Sequence, residues 1–135
     1  MKTIKQEYKI CSKIDRVWEA LTNPKEIEAW GAGSAKMDDK VGTKFKLWGG
    51  DIHGTNTKVV RNKILEQDWY GGDWPQPSKV TFTLSEESGP LRSRSEARKI
   101  KVVLVHENVP DEEAGNIDEG WKDYYLGPLK DYLEK

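Results

Sequence analysis

Apolar and polar residues alternate along several short segments of the chain, which is the pattern of half-buried β-strands. In residues 2–12, Ile4, Gln6, Tyr8 and Ile10 fall on one side, with mostly charged residues between them. Five further strands are predicted in TKFKLW, IHGTNTKVV, ILEQDWY, KVTFTLS and KIKVVLVHENV. The last segment is almost continuously apolar, which predicts a strand that is central in the sheet or covered on both faces.

Between the first two strands, residues 14–30 predict two short helices, IDRVWEALT and PKEIEAW. Asp15 is placed to cap the first helix, because a carboxylate accepts the free N–H groups of a first turn. Asn23 caps the second helix, and Pro24 takes the first helical position, where a missing N–H costs little. Gly31 then ends it.

A long amphipathic helix is predicted after Pro110, near the end of the chain. Its apolar residues recur at spacings of three and four and form one broad stripe that must lie on the sheet. They are Ile117, Trp121, Tyr124, Tyr125, Pro128, Leu129, Tyr132 and Leu133. Because proline lacks an N–H and its ring clashes with the carbonyl four residues back, we expect a kink at Gly127-Pro128.

The order of elements is therefore strand, two short helices, five strands and a long helix. Consecutive strands joined by tight turns favour an antiparallel meander with helices on one face, an α+β fold. A length of 135 residues fits one domain, 1–135, with one sizeable core.

Charge and targeting signals exclude several classes of partner. With 22 basic and 23 acidic residues, the chain has no overall field that would attract nucleic acid or an anionic membrane. It has no signal-like or membrane-spanning apolar run, and Cys11 is its only cysteine. We expect a cytosolic monomer without a disulfide, and with no nucleic-acid or membrane partner.

Several segments together resemble a known family. They are VWEALTNPKEIEAW (17–30), VGTKFKLWGGDIHG (41–54), DWY (68–70), SKVTFTL (78–84), HENVPDE (106–112) and GWKDYYLGPLKDYLEK (120–135). In order and spacing, they resemble the activator of heat-shock protein 90 ATPase homologue-like family, part of the START-like (SRPBCC, Bet v-type) helix-grip superfamily. The resemblance implies a six-stranded curved antiparallel sheet around the long C-terminal helix, with the two short helices closing one end of a cavity.

The resemblance leaves the function open, because members include small-molecule binders, co-chaperone domains and uncharacterised proteins. In the co-chaperone that names the family, this fold is the C-terminal half. The N-terminal half, which chiefly engages and stimulates the chaperone ATPase, has no counterpart in these 135 residues. The segment GPLRSRSEARK (89–99) is also longer and more basic than the usual hairpin at that point.

Few residues have the pattern of a catalytic or metal site. Cys11 and His106 are candidates for a cyclase- or hydrolase-like enzyme, but their spacing demands no pairing, so we expect Cys11 to be a packed side chain. His106 lies on the apolar side of its strand, where a satisfied core histidine is the commoner case. The carboxylates are scattered and no phosphate-binding glycine loop is present, so we expect no metal and no cofactor.

One local basic patch stands out near the end of the fifth strand. It consists of Arg92, Arg94, Arg98, Lys99 and Lys101. The simplest interpretation is a solvated hairpin tip, and the alternative is a surface that binds an acidic protein, such as a chaperone partner.

The aromatic residues provide the leading functional hypothesis. Six tryptophans and five tyrosines against two phenylalanines suit a cavity of mixed chemistry. In a helix-grip fold the residues that converge on one space are Trp30, Trp48, Trp69, Phe82, Leu104, His106, Trp121, Tyr124 and Tyr125. The sequence therefore predicts a non-enzymatic domain that binds a small apolar or aromatic ligand, unless these rings interdigitate fully and form only a core.

Overall fold

The computed structural model describes residues 1–71, 74–87 and 99–134, and confirms the predicted order of elements. The strands are β1 (Lys2–Cys11), β2 (Lys44–Leu47), β3 (Ile52–Val60), β4 (Ile64–Gly71), β5 (Ser78–Glu87) and β6 (Lys99–Val109). The helices are α1 (Ile14–Thr22), α2 (Pro24–Trp30), α3 (Ala114–Gly120) and α4 (Gly127–Leu133), with a π-helical segment, Trp121–Leu126, between the last two. The fold is α+β and helix-grip-like.

The six strands form one antiparallel sheet in the order β1-β6-β5-β4-β3-β2. β6 lies inside the sheet, between β1 and β5, as its apolar content predicts. Its inner side chains, Ile100, Val102, Leu104 and His106, are fully buried. Val103 on the outer side is only half-buried, so helices cover one face of the sheet and leave the other more open.

The two helices after β1 have the predicted bounds, but the predicted N-cap of the first helix is wrong. Lys13, not Asp15, is the N-cap of α1, and no side chain caps that helix. Asp15 lies in the first turn, where its carboxylate accepts a hydrogen bond from the side-chain amide of Asn62 at 2.8 Å. The second cap is confirmed, since Asn23 Oδ1 accepts the Lys25 N–H at 3.0 Å, a contact worth about 1 kcal/mol.

The C-terminal helix passes Pro128 without ending. In the π-helical segment the hydrogen bonds span five residues, and the N–H of Gly127 bonds to the carbonyl of Lys122. A side chain at position 127 would collide with that same carbonyl, so the wide turn requires glycine. The interruption predicted at Gly127-Pro128 therefore takes the form of a π turn just before the proline.

Cys11 is exposed, and the prediction of a packed side chain is wrong. Successive residues of a strand point to opposite faces, so the buried position of Ile10 turns Cys11 outward. Its backbone N–H donates to the Glu134 carboxylate at 2.9 Å, which ties the edge of β1 to the end of the chain. Within the described ranges, no helix combines the length and apolar character needed to cross a bilayer.

Candidate functional site

A cavity of about 300 Å³ lies between the C-terminal helix and one end of the sheet. The turn before β3, the start of β3 and the end of β4 form one side, and α3 with the π-helical segment forms the other. Its described lining residues are Trp48, Asp51, Ile52, Trp69, Asn116, Ile117, Gly120, Trp121, Tyr124 and Tyr125. Five of these are aromatic, so the rings leave a space and do not fill it.

The π-helical segment supplies three of the five rings, Trp121, Tyr124 and Tyr125. Trp121 and Tyr125 are buried, whereas Tyr124 is 68% exposed and lies at the edge of the cavity. Such π-helical turns occur frequently at functional sites, because the wider turn changes the direction in which side chains project. Here the π-helical segment lies immediately before the Gly127-Pro128 pair.

Trp48 is held at the cavity by a strained turn. Its φ of 51° lies in the left-handed region, which a bulky residue rarely adopts. Two backbone hydrogen bonds fix the turn: Trp48 N–H donates to Ala32 O at 2.8 Å, and Gly49 N–H donates to Ser34 O at 3.0 Å. The segment after α2 therefore determines where this indole lies, 6.3 Å from the ring of Tyr125.

Two indoles form the inner wall. The rings of Trp69 and Trp121 stack with centroids 5.1 Å apart and planes 26° from parallel. Tyr125 continues the row, 4.7 Å from Trp121. These contacts join strand β4 to the helix, so the wall depends on the register between the two elements.

His106 lies directly behind this wall in a directed chain of hydrogen bonds. Trp121 Nε1–H donates to His106 Nδ1 at 3.0 Å, so the proton of the neutral ring is on Nε2. His106 Nε2–H then donates to Ser78 Oγ at 2.7 Å, and the Ser78 hydroxyl donates to the carbonyl of Trp69 at 2.7 Å. Both wall tryptophans are thereby tied to one buried imidazole.

Burial lowers the pKa of His106 to about 4, so the ring is neutral at physiological pH. Both ring nitrogens are engaged, which leaves no free lone pair directed at the cavity. Cys11 pairs with Lys99 at the far end of β6, whereas His106 pairs with Ile4 near the other end. Cys11 and His106 therefore do not form a pair.

Two polar atoms near the cavity have no hydrogen-bond partner among the described residues. They are the Nε1–H of Trp69 and the hydroxyl of Tyr125, both on side chains that line the space. Burial raises the pKa of the Tyr125 phenol, which keeps it neutral. Both atoms are buried as well as unpaired, so each carries a desolvation cost.

Five of the nine predicted cavity residues line the space, and four do not appear among its described lining residues. Trp30 lies behind Tyr125, with ring centroids 4.8 Å apart, and its indole donates to the carbonyl of Ala20. Phe82 stacks on Tyr125 at 5.7 Å, and Leu104 pairs beside it on β6. His106 is the fourth. These side chains support the lining rings from behind.

Several lining residues were not predicted from the sequence as part of the site. Asn116 and Ile117 precede Trp121 by five and four residues, and Gly120 precedes Tyr124 by four, so helical spacing from the aromatics identifies them. Asp51 and Ile52 follow Trp48 in the turn, as its neighbours in sequence. Ser78, whose hydroxyl contacts His106, has no comparable pattern in the sequence. The pairing of β5 with β4 and with β6 brings it beside Trp69 and near His106.

Asp51 is the one charged side chain among the lining residues that the structure describes. Of the predicted basic patch, Arg92, Arg94 and Arg98 lie outside the described residues, and Lys99 is exposed at the start of β6. Lys101 pairs with Glu7 at 2.8 Å. In the part of the chain that the structure describes, no three metal-ligating side chains come together.

The fold resembles solved structures over almost its whole length. An Hsp90 activator from Plasmodium falciparum superposes with a TM-score of 0.85 at 21% identity, covering 98% of this chain and 96% of that one. The Aha1 dimer from Colwellia psychrerythraea superposes with a TM-score of 0.79 at 22% identity, covering 99% and 97%. At these identities the likeness establishes the fold.

Sequence comparison gives the family. An activator of 90 kDa heat shock protein ATPase homolog from Dictyostelium discoideum is 28% identical over 129 residues, which are 94% of this chain and 31% of that protein. The chain thus spans about a third of the length of the curated relatives it matches. The family model for Activator of Hsp90 ATPase homolog 1-like protein matches residues 12–134. The chain therefore belongs to this family, within the START-like helix-grip superfamily.

Proposed function

We propose that this domain binds a small, largely apolar aromatic molecule in the cavity beside the C-terminal helix. The observation that carries the proposal is the space of about 300 Å³ lined by five aromatic side chains. This volume is at the lower end of the range of small-molecule sites, about 300–1,000 Å³. A ligand of one or two rings matches it.

The lining favours binding over turnover. Aromatic walls bury large apolar areas and stack on flat ligands, while the exposed lining residues Asn116 and Tyr124 offer an amide and a hydroxyl for polar contacts. His106 is engaged at both nitrogens and neutral, and Cys11 is exposed at the end of β1, opposite Lys99. A cyclase-like enzyme has no placed acid, base or nucleophile among these groups.

Gly120 allows a direct test, because it lines the cavity and has helical φ and ψ. Its helical neighbours Asn116 and Tyr124 also line the space, and a Cβ added at position 120 meets nothing within 4 Å. Gly120→Leu therefore fills the cavity without straining the backbone. Gly115→Leu is the matched control, since Gly115 is exposed, lies in the same helix, does not line the cavity and is equally unhindered.

The experiment measures binding of 2-naphthol, indole, benzamide and benzamidinium by calorimetry to the wild type and both variants. We expect at least one probe to bind the wild type and Gly115→Leu alike and to lose at least tenfold in affinity for Gly120→Leu. The proposal is wrong if no probe binds saturably, or if Gly120→Leu binds as the wild type does. Circular dichroism on all three proteins establishes that the fold is intact.

A second candidate function is that of a chaperone cofactor, favoured by the names of the relatives. The Dictyostelium discoideum protein and the Plasmodium falciparum structure are both described as activators of Hsp90 or its ATPase. This function would use the surface of the domain and is compatible with an occupied cavity. Titrating the Hsp90 of the source organism into ¹⁵N-labelled domain should shift a contiguous set of surface resonances, and an unchanged spectrum would count against it.

A further inference from the structure

We propose that the preferred occupant of the cavity is a small aromatic cation, such as an aryl amidine or aryl ammonium. The inference rests on the proposed function, because it concerns the ligand class of the same site. It follows from the charges around the cavity and from the kind of rings that line it. A neutral aromatic molecule and an aromatic carboxylate are the alternatives that it excludes as preferred ligands.

The one charged side chain in the described lining is negative, and the helix that forms one wall has an excess of carboxylates in its sequence. Asp51 lines the cavity, and the described lining residues include no lysine, arginine or histidine. The helix wall begins in the segment 111–123, which holds six carboxylates, Asp111, Glu112, Glu113, Asp118, Glu119 and Asp123, and one cation, Lys122. The Asp111 carboxylate is paired with the N-terminal amine at 2.6 Å. The remaining field still favours a positive ligand over a negative one.

The aromatic rings of the lining also favour a positively charged ligand. The faces of indole and phenol carry negative electrostatic potential, and indole attracts a cation most strongly. Three of the five aromatic lining residues are tryptophans, Trp48, Trp69 and Trp121. An arrangement of several indoles and phenols around one space with a carboxylate beside it is the arrangement that binds organic cations in aromatic cages. The same rings give an anion no comparable stabilisation.

A carboxylate ligand would also lack a partner here. Transferring an anion from water requires donors or cations to replace its hydration. The described lining offers neutral donors, such as the Asn116 amide and the Tyr124 hydroxyl, but no positive charge. Asp51 would repel such a ligand at the mouth. The geometry therefore disfavours fatty acids and aromatic acids, although both are apolar enough for the walls.

Three probes of nearly equal size and planarity separate the charge states: benzamidinium, benzamide and benzoate. Each is titrated into ¹⁵N-labelled protein while the indole N–H resonances are followed, which detects weak binding. Asp51→Asn removes the carboxylate at the cavity. Asp131→Asn is the matched control, because Asp131 is an exposed carboxylate on α4 outside the cavity and its loss changes the net charge equally.

We expect benzamidinium to bind at least about threefold more tightly than benzamide, and benzoate to bind most weakly. Asp51→Asn should weaken benzamidinium by about twofold to fivefold and leave benzamide unchanged, while Asp131→Asn changes neither. If benzamide or benzoate binds as tightly as benzamidinium, the cation preference is overturned and the proposed function stands. If none of the three shifts a cavity indole and the probes of the cavity-filling experiment also fail, both proposals fall.

Discussion

The indole of Trp121 donates its N–H to Nδ1 of His106 at 3.0 Å, which fixes both the tautomer of the histidine and the position of a cavity wall. The proton on Nε2 then faces Ser78, and the described partners of the ring are this serine and three tryptophans, Trp69, Trp74 and Trp121. Protonating Nδ1 would place two N–H groups against each other. The wall and the charge state of His106 are therefore coupled.

The first prediction concerns the pH dependence of stability. The pKa of His106 is about 4 in the folded protein, against 6.5 for an ordinary histidine. Below pH 6.5 the unfolded chain binds a proton that the folded chain does not, so stability is full above that pH and falls as the pH drops toward 4. The loss should reach about 2.5 kcal/mol at pH 4.5, measured by urea denaturation at pH 7.5, 5.5 and 4.5.

His106→Gln is the control for this effect, because glutamine keeps a donor and an acceptor and does not titrate. The exposed carboxylates with lowered pKa, Glu7, Asp111 and Glu134, act chiefly below pH 4.5 and are present in both proteins. We expect the variant to show a much flatter profile between pH 7.5 and 4.5. Equal slopes in the two proteins would show that His106 is not the group responsible.

The second prediction is that Ser78→Ala destabilises the protein by about 1–3 kcal/mol. The change leaves the buried Nε2–H of His106 without an acceptor, and an unpaired buried donor costs its full desolvation. Ser85→Ala, at an exposed position of the same strand, should stay within about 0.5 kcal/mol. Thermal and chemical denaturation of the pair measure the difference, and comparable losses would refute the hydrogen-bond chain.

The third prediction concerns the unpaired hydroxyl of Tyr125. Tyr125→Phe removes a buried polar atom that has no partner among the described residues, so the free energy of unfolding should be unchanged or slightly higher. Tyr132→Phe breaks a hydrogen bond to Glu26 of 2.9 Å and should cost about 0.5–1.5 kcal/mol. A clear loss for Tyr125→Phe, measured without ligand, would mean that the hydroxyl has a partner.

The fourth prediction tests the contact between β3 and β4. A Cβ at Gly54 would overlap the carbonyl oxygen of Asp68 and press on the ring of Phe45. Gly54→Ala should therefore destabilise the fold by about 3 kcal/mol or more. Gly115→Ala, in an unhindered helical position, should be neutral or stabilising by up to about 1 kcal/mol. If both variants unfold at the same denaturant concentration, the two strands are not packed this closely.

The strands and the cap of α2 were predictable because their causes are local. Alternation along β1 places Ile4 and Ile10 on the core side, and Asn23 with Pro24 begins a helix whatever surrounds it. Asp15 was not predictable in the same way. Its carboxylate bonds to Asn62, which is 47 positions away in sequence, and that competition appears only in the fold.

The sequence predicted that aromatic residues form the site, but not which of them line the cavity and which pack behind the lining. Apolar spacing along the C-terminal helix shows that Trp121 and Tyr125 face the sheet, and both line the cavity. The convergence expected of aromatics in a helix-grip fold placed Trp30 and Phe82 in the same cavity, whereas they pack behind Tyr125. Whether an inward ring borders a space or fills one depends on packing between elements, which periodicity does not record.

The most direct test of the central claim follows the six indole N–H resonances of ¹⁵N-labelled protein as the tightest aromatic probe is added. If the cavity is the binding site, the resonances of Trp48, Trp69 and Trp121 shift and saturate together. The resonance of Trp18, a fully buried residue of α1 that does not line the cavity, stays in place. If the three resonances do not move with any probe, or move equally in Gly120→Leu, the cavity is not a ligand site.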